Sequence, residues 1–266
     1  MSTPLTGSRA YLFVPGDRPE RFDKAAGSGA VPILDLEDAV APGRRAAARE
    51  HVRRWLDEDG RAVVRVQAAD APGHEDDVAA LVGSPGLMAV MLARAEDPGH
   101  VRAAGEATGG PVIALVETAA GIAAARELAR ASARLALGDQ DLALDLGVTP
   151  RSPLVRQLAA ELVLASRLAG LPAPLDGVTT ELDAPDVLAA DARAARENGF
   201  GGKLCIHPRQ VEVVGRAWRP SAEELAWARA VVATAGGDGG VGTVGGAMVD
   251  RPLVERARAL LADAGG

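Results

Sequence analysis

Eight short apolar runs, each followed by an amphipathic Ala- and Arg-rich segment, are spread over 266 residues and predict an α/β fold, a TIM (β/α)8 barrel with a C-terminal lid segment. Eight such units need about 250 residues, which matches the chain. Aromatic residues make up only 3% of a sequence that is 48% hydrophobic, so the core must be built from Leu, Val, Ile and Ala, the usual filling of such a barrel. A doubly wound sheet would use the same alternation, but no Gly-rich phosphate fingerprint follows the first run.

In chain order the strands are expected at Ala10–Val14, Val31–Leu36, Ala62–Val66, Met88–Leu92, Val112–Val116, Leu135–Leu137, Leu175–Val178 and Leu204–Ile206. Gly43–Leu56, Ala119–Ala131 and Pro153–Leu168 carry helical periodicity between them. Residues 1–235 are read as the catalytic barrel domain, ending in a helix that opens at Pro220-Ser221 with Glu224 completing a capping box. Gly236–Gly246 holds seven glycines and reads as a linker or turn region; with it, residues 236–266 form a lid whose helix covers Ala247–Ala264.

The net charge of −7, with no basic block, argues against nucleic-acid binding. Cys205 is the single cysteine, which excludes an intrachain disulfide. The first residues lack a signal-peptide pattern, and no apolar run approaches the roughly 20 residues of a membrane span. A cytoplasmic enzyme without membrane attachment is the expectation.

Charged residues stand where several apolar runs end, and the C-terminal strand ends of a barrel converge on one face. Glu117 and Asp141 follow the fifth and sixth runs. Mg²⁺ takes one or two carboxylates and keeps waters, so this pair suits a metal; capping of the following helices is the alternative. Asp35, Glu37 and Asp38 crowd three acids into four positions, a costly arrangement unless paired, wetted or metal-linked. Glu37 and Asp38 are assigned to holding metal-bound waters. Arg65 lies within Val63-Val-Arg-Val66 and needs an anion: a substrate oxygen, or Glu37 or Asp38 in a structural pair. Arg18, Arg21 and Lys24 could meet a phosphate-rich ligand or be ordinary charge scatter. Lys203 opens its strand, away from the catalytic end, which disfavours a Schiff-base lysine. His207 precedes Pro208 and suits a turn as much as acid–base work. Cys205 is expected to be buried and inert. Asp250 either caps the last helix or is an acid–base group brought in by the lid.

Leu12-Phe-Val-Pro-Gly-Asp-Arg-Pro-Glu-Arg-Phe22, Ile33-Leu-Asp-Leu-Glu-Asp-Ala-Val40, Ala114-Leu-Val-Glu-Thr118, Gly138–Gly147, Cys205-Ile-His-Pro-Arg-Gln210, Arg219-Pro-Ser221 and Gly246-Ala-Met-Val-Asp250 together resemble the citrate lyase β-subunit-like proteins, which belong with malyl-CoA lyases among CoA-ester carbon–carbon lyases. The resemblance covers nearly the whole chain. It implies a homotrimeric barrel using Mg²⁺ on a CoA thioester and a small keto or hydroxy acid. By motif position Glu117 and Asp141 look like the metal ligands and Arg65 like the arginine that polarises the reacting oxygen. Phe13, Arg18 and Lys24 match positions that hold CoA, Ile206 and His207 a substrate-contact segment, and Asp250 the acid–base carboxylate of a neighbouring subunit's lid. The chain departs from the family pattern at Gln67, where Asn is usual, and at Leu92-Ala93-Arg94, where Leu-Pro-Lys is usual.

The expected reaction is Mg²⁺-dependent cleavage or formation of a β-hydroxyacyl-CoA. The rival readings are a metal-dependent aldolase on free 2-oxo acids, a Schiff-base aldolase through Lys203, and a citrate lyase subunit that needs an acyl-carrier partner.

Overall fold

The computed structural model describes residue 5 and residues 7–235 and 242–265. Residues 236–241 of the expected linker, and residues 1–4 and 6 of the segment read as lacking a targeting signal, lie outside the described residues. The chain separates into two compact units, Met1–Gly215 and Arg216–Gly266.

The first unit alternates strand and helix: β1 (Ala10–Pro15), α1 (Phe22–Ala26), β2 (Val31–Asp35), α2 (Arg45–Asp57), β3 (Ala62–Val66), α3 (His74–Leu81), β4 (Leu87–Leu92), α4 (Pro98–Thr108), β5 (Val112–Val116), α5 (Ala119–Ala123), α6 (Ala125–Ala131), β6 (Arg134–Leu137), α7 (Asp139–Asp145), α8 (Pro153–Leu168), β7 (Leu175–Asp176), α9 (Pro185–Glu197) and β8 (Gly202–Cys205). α10 (Pro208–Trp218) follows across the unit boundary. All eight strands pair in parallel, and β8 returns to β1 through Tyr11 and Leu204, closing the barrel.

Local chemistry starts the helices where the sequence breaks. Pro stands in the first turn of α4, α8 and α9, where its missing N–H costs nothing. Asp97, Thr118 and Ser152 cap α4, α5 and α8 by accepting the N–H of Gly99, Gly121 and Leu154. The segment expected as one helix over Ala119–Ala131 is two, because Ala124 leaves the helical region between α5 and α6.

Alternate strand residues point inward. Tyr11, Ile33, Val63, Met91, Leu115, Ala136, Leu175 and Leu204 fill the barrel as one buried apolar cluster. At its N-terminal end Arg134 is 2% exposed and donates to the carbonyls of Leu5 at 2.5 Å and Ala173 at 2.8 Å, and to the Tyr11 hydroxyl at 3.0 Å.

The second unit contains α11 (Ala222–Ala235), a short antiparallel pair β9 (Thr243–Val244) and β10 (Ala247–Met248), and α12 (Arg251–Gly265). Ser221 and Glu224 form the expected capping box, each side chain accepting the other's backbone N–H. Ala228 and Val231 of α11 pack against Ala257 of α12, so α11 shares a core with the last helix. The expected helix from Ala247 begins only at Arg251; residues 247–248 are instead a strand, with Gly245 and Gly246 at positive φ making its turn. Among the described residues no helix is long and apolar enough to cross a membrane.

Candidate active site

The inward faces of β1, β2, β3 and β5 continue one step above the apolar core. Two residues beyond Tyr11, Ile33, Val63 and Leu115 stand Phe13, Asp35, Arg65 and Glu117. The alternation that points the core residues inward therefore aims a ring, two carboxylates and a guanidinium into the C-terminal mouth.

Arg65 is 8% exposed and gripped on three sides. Its Nε and Nη2 each donate at 2.7 Å to the two oxygens of Asp35, the residue directly across the β2–β3 ladder. Its Nη1 lies 3.0 Å from Glu37 Oε2 and 3.6 Å from Asp38 Oδ2. Its Cζ sits 4.7 Å from the centroid of the Phe13 ring. Burial works against this cation, but the hydrogen-bonded Asp35 reverses that and holds the guanidinium above its ordinary pKa. The sequence offered Glu37 or Asp38 as the structural partner. The bidentate partner is Asp35, with the other two flanking, because cross-strand register rather than proximity in sequence decides the pair.

Glu117 is 3% exposed, and its Oε1 accepts the Arg94 N–H at 2.7 Å. Arg94 makes that bond from φ 45°, a left-handed conformation uncommon outside glycine, while its side chain is exposed. On the other side stands Gly138: a Cβ there would lie 2.5 Å from both Cβ and Oε2 of Glu117. Asp141 follows on the first turn of α7, exposed at the mouth.

The electrostatics of this group call for a cation. Burial pushes the Glu117 carboxyl up to about 8, with Asp141 and Glu37 adding repulsion. Burial likewise pushes Glu37 up to about 7, and Asp38 and Asp35 add to it. Asp141 is raised by burial and by Asp38. Arg65 is already engaged by Asp35, which leaves more carboxylate than the guanidinium balances. A hard divalent ion fits such an oxygen set. Among the described residues no group of three or more acidic, His or Cys side chains is arranged to hold a metal ion; Mg²⁺ typically takes only one or two carboxylates and keeps waters.

The other predicted residues fall as follows. Arg18 is exposed in the loop after β1 and Lys24 is exposed on α1. Ile206 is exposed and His207 half-buried just beyond β8. The N–H groups of both donate to Gln210 Oε1, and His207 Nδ1 accepts the Arg209 N–H, so the His-Pro segment forms the turn into α10. Asp250 caps α12, with Oδ1 accepting the Leu253 N–H at 3.0 Å. Gln67 bonds Arg45 and Asp77, tying the end of β3 to α2 and α3. Lys203 faces away from the core and pairs with Asp176 at 2.6 Å, buried at the outer wall. That wall holds a cavity of about 370 Å³ lined by residues of β6 to β8, α7, α8 and α9, including Asp139, Asp176 and Lys203. It is distinct from the Arg65–Glu117 group. Sequence reasoning gave no role to Gly138 or to the Arg94 backbone, although both flank strand ends it had singled out.

The family model of the HpcH/HpaI aldolase/citrate lyase family matches residues 9–208. A citrate lyase subunit beta-like protein of Mycobacterium tuberculosis is 39% identical over 96% of this chain and 95% of its own length. A (3S)-malyl-CoA thioesterase of Cereibacter sphaeroides is 35% identical over 96% of this chain and 94% of its own. The crystal structure of protein CitE from M. tuberculosis, in complex with magnesium, acetoacetate and coenzyme A, superposes with a TM-score of 0.89 at 38% identity, covering 98% of this chain and 99% of that one. With family, fold and barrel-mouth chemistry in agreement, the chain belongs to the HpcH/HpaI aldolase/citrate lyase family and is an enzyme of the oxo-acid lyase class.

Proposed function

We propose that the chain is a Mg²⁺-dependent lyase that cleaves a β-hydroxyacyl-CoA thioester into acetyl-CoA and a keto acid, or joins them in reverse. The observation that carries this reading is the carboxylate surplus around Glu117 beside a guanidinium fixed by Asp35. Glu117 and Asp141 would hold the metal, which when bound neutralises charge on the carboxylate and on the hydroxyl or keto oxygen of the acid half. When the carbon–carbon bond breaks, its electron pair passes into the thioester as an enolate. Arg65 donates to that enolate oxygen from a buried, preorganised position. As the carbonyl of the keto acid forms, the hydroxyl gives its proton to Asp250 on the lid of a neighbouring subunit in a homotrimer, and Asp250 returns that proton to the enolate carbon. Glu37 and Asp38 order water at the mouth, Phe13, Arg18 and Lys24 receive CoA and its phosphates, and Ile206 and His207 border the substrate. The magnesium, acetoacetate and coenzyme A bound by the M. tuberculosis protein support the cofactor and both substrate halves. A cytoplasmic location fits a CoA-ester substrate.

The test is turnover of malyl-CoA, citramalyl-CoA, 3-hydroxy-3-methylglutaryl-CoA and citryl-CoA, with Mg²⁺ and with EDTA. Acetyl-CoA and keto acid released only with Mg²⁺ are the expected products. Free CoA without carbon–carbon cleavage would instead mark a thioesterase, the activity named for the C. sphaeroides relative. Cleavage of free 2-oxo acid adducts, indifferent to CoA, would mark the aldolase alternative. Activity only with an acyl-carrier partner would mark the citrate lyase subunit.

A further inference from the structure

Asp35 is fully buried, and each of its oxygens takes two donors. Oδ1 accepts Arg65 Nε at 2.7 Å and the Glu37 N–H at 3.0 Å. Oδ2 accepts Arg65 Nη2 at 2.7 Å and the Ala39 N–H at 3.0 Å. A carboxylate offers about four acceptor sites, so these bonds use its full capacity. Asp35 therefore has no lone pair left for a metal or a substrate, although it lies in the same acidic cluster. Its two backbone bonds fix the start of the loop that carries Glu37 and Asp38. Its two side-chain bonds fix the plane of Arg65 from the edge, while Phe13 covers one face at 4.7 Å. Only the Nη1 side of the guanidinium is turned away from Asp35, toward Glu37 and Asp38.

We propose that Asp35 is the positioning residue of the reaction: it acts through Arg65, setting which edge of the guanidinium meets the developing enolate oxygen, and registers the Glu37–Asp38 loop to that edge. The proposal rests on the lyase reading for its kinetic consequence, but the orientation of Arg65 is measurable without turnover. A rigid bidentate fork supplies the geometry that a mobile arginine lacks, and displacement by about 1 Å costs on the order of 100-fold in rate.

The experiment compares wild type, Asp35→Asn, Asp35→Glu, Arg65→Lys and the Asp35→Asn/Arg65→Lys double variant. In [15N]arginine-labelled protein the Arg65 Nε–H signal is identified by its absence from Arg65→Lys. In wild type it should exchange slowly with water; in Asp35→Asn it should move and exchange at least about tenfold faster, and Asp35→Glu should restore part of the protection. In turnover, Asp35→Asn should lower kcat about 100-fold while KM stays within about threefold, and should add little in the Arg65→Lys background. Far-UV circular dichroism and thermal melting check that each variant folds; if Asp35→Asn does not, Asp35→Glu carries the comparison through a partial shift of the same signal. An Arg65 signal that keeps its position and exchange rate in the Asp35 variants overturns the proposal, as does an undiminished kcat cost in the Arg65→Lys background. A wild type silent on every thioester while the Arg65 signal behaves as expected leaves the positioning role standing and rejects the lyase reading.

Discussion

Two arginines are buried inside the same barrel, at its opposite ends, and their partners differ. Arg134 at the N-terminal end is surrounded by neutral acceptors: two backbone carbonyls and a tyrosine hydroxyl. Burial lowers its pKa, and the Tyr11 hydroxyl offsets that only in part. Arg65 at the C-terminal end sits among Asp35, Glu37 and Asp38, with Glu117 and Asp141 beyond. The first arrangement closes the barrel floor. The second crowds carboxyl groups whose charged forms lack a partner around a fixed cation, which suits a site where a bound metal would stabilise their ionised form. A buried arginine is therefore not by itself a functional signal; the sign and surplus of what surrounds it decide.

The comparison breaks most severely at Glu117. Glu117→Gln keeps the shape but cannot ionise to hold a cation, and Mg²⁺-dependent turnover should fall by about 10³-fold or more, read by acetyl-CoA release. Next come the arginines. Arg65→Lys should lower kcat by about 10²-fold because lysine cannot form the fork. Arg134→Met should leave kcat per folded molecule unchanged and destabilise the protein by about 3 kcal/mol, read by urea unfolding, since three buried acceptors lose their donor. Equal kinetic damage from both substitutions would erase the distinction. Gly138→Ala should weaken Mg²⁺ activation by roughly tenfold, as its Cβ displaces the Glu117 carboxylate. The smallest effect concerns Cys205. Burial pushes its thiol up to about 12, so the thiolate is negligible from pH 7 to 9 and a thiol reagent should react only after unfolding.

Much of this architecture is legible in the sequence alone. The eight apolar runs all became barrel strands, because parallel strands covered on both faces have to be continuously apolar. Arg65 and Glu117 stood out because charge at the end of such a run has nowhere to go but the mouth. Asp35 was visible as an acid but not as Arg65's fork partner, since that pairing depends on β2–β3 register. Arg134 carries no signal in the sequence, because the apolar run begins at Leu135 and its carbonyl partners lie far along the chain. Gln67, which stands where the resemblance leads to Asn, serves the α2–α3 layer because its partners, Arg45 and Asp77, come from two other elements. The β9–β10 hairpin was hidden because two-residue strands carry no periodicity.

The central claim, that the acid surplus at the barrel mouth is a cation site while the floor is only structural, is tested most directly by Mn²⁺ binding followed by electron paramagnetic resonance. Mn²⁺ stands in for Mg²⁺ as a hard, oxygen-seeking ion. Wild type and Arg134→Met should each bind one Mn²⁺ per chain, displaced by excess Mg²⁺, and Glu117→Gln should bind none in the same range. Unchanged Mn²⁺ affinity in Glu117→Gln would contradict the account.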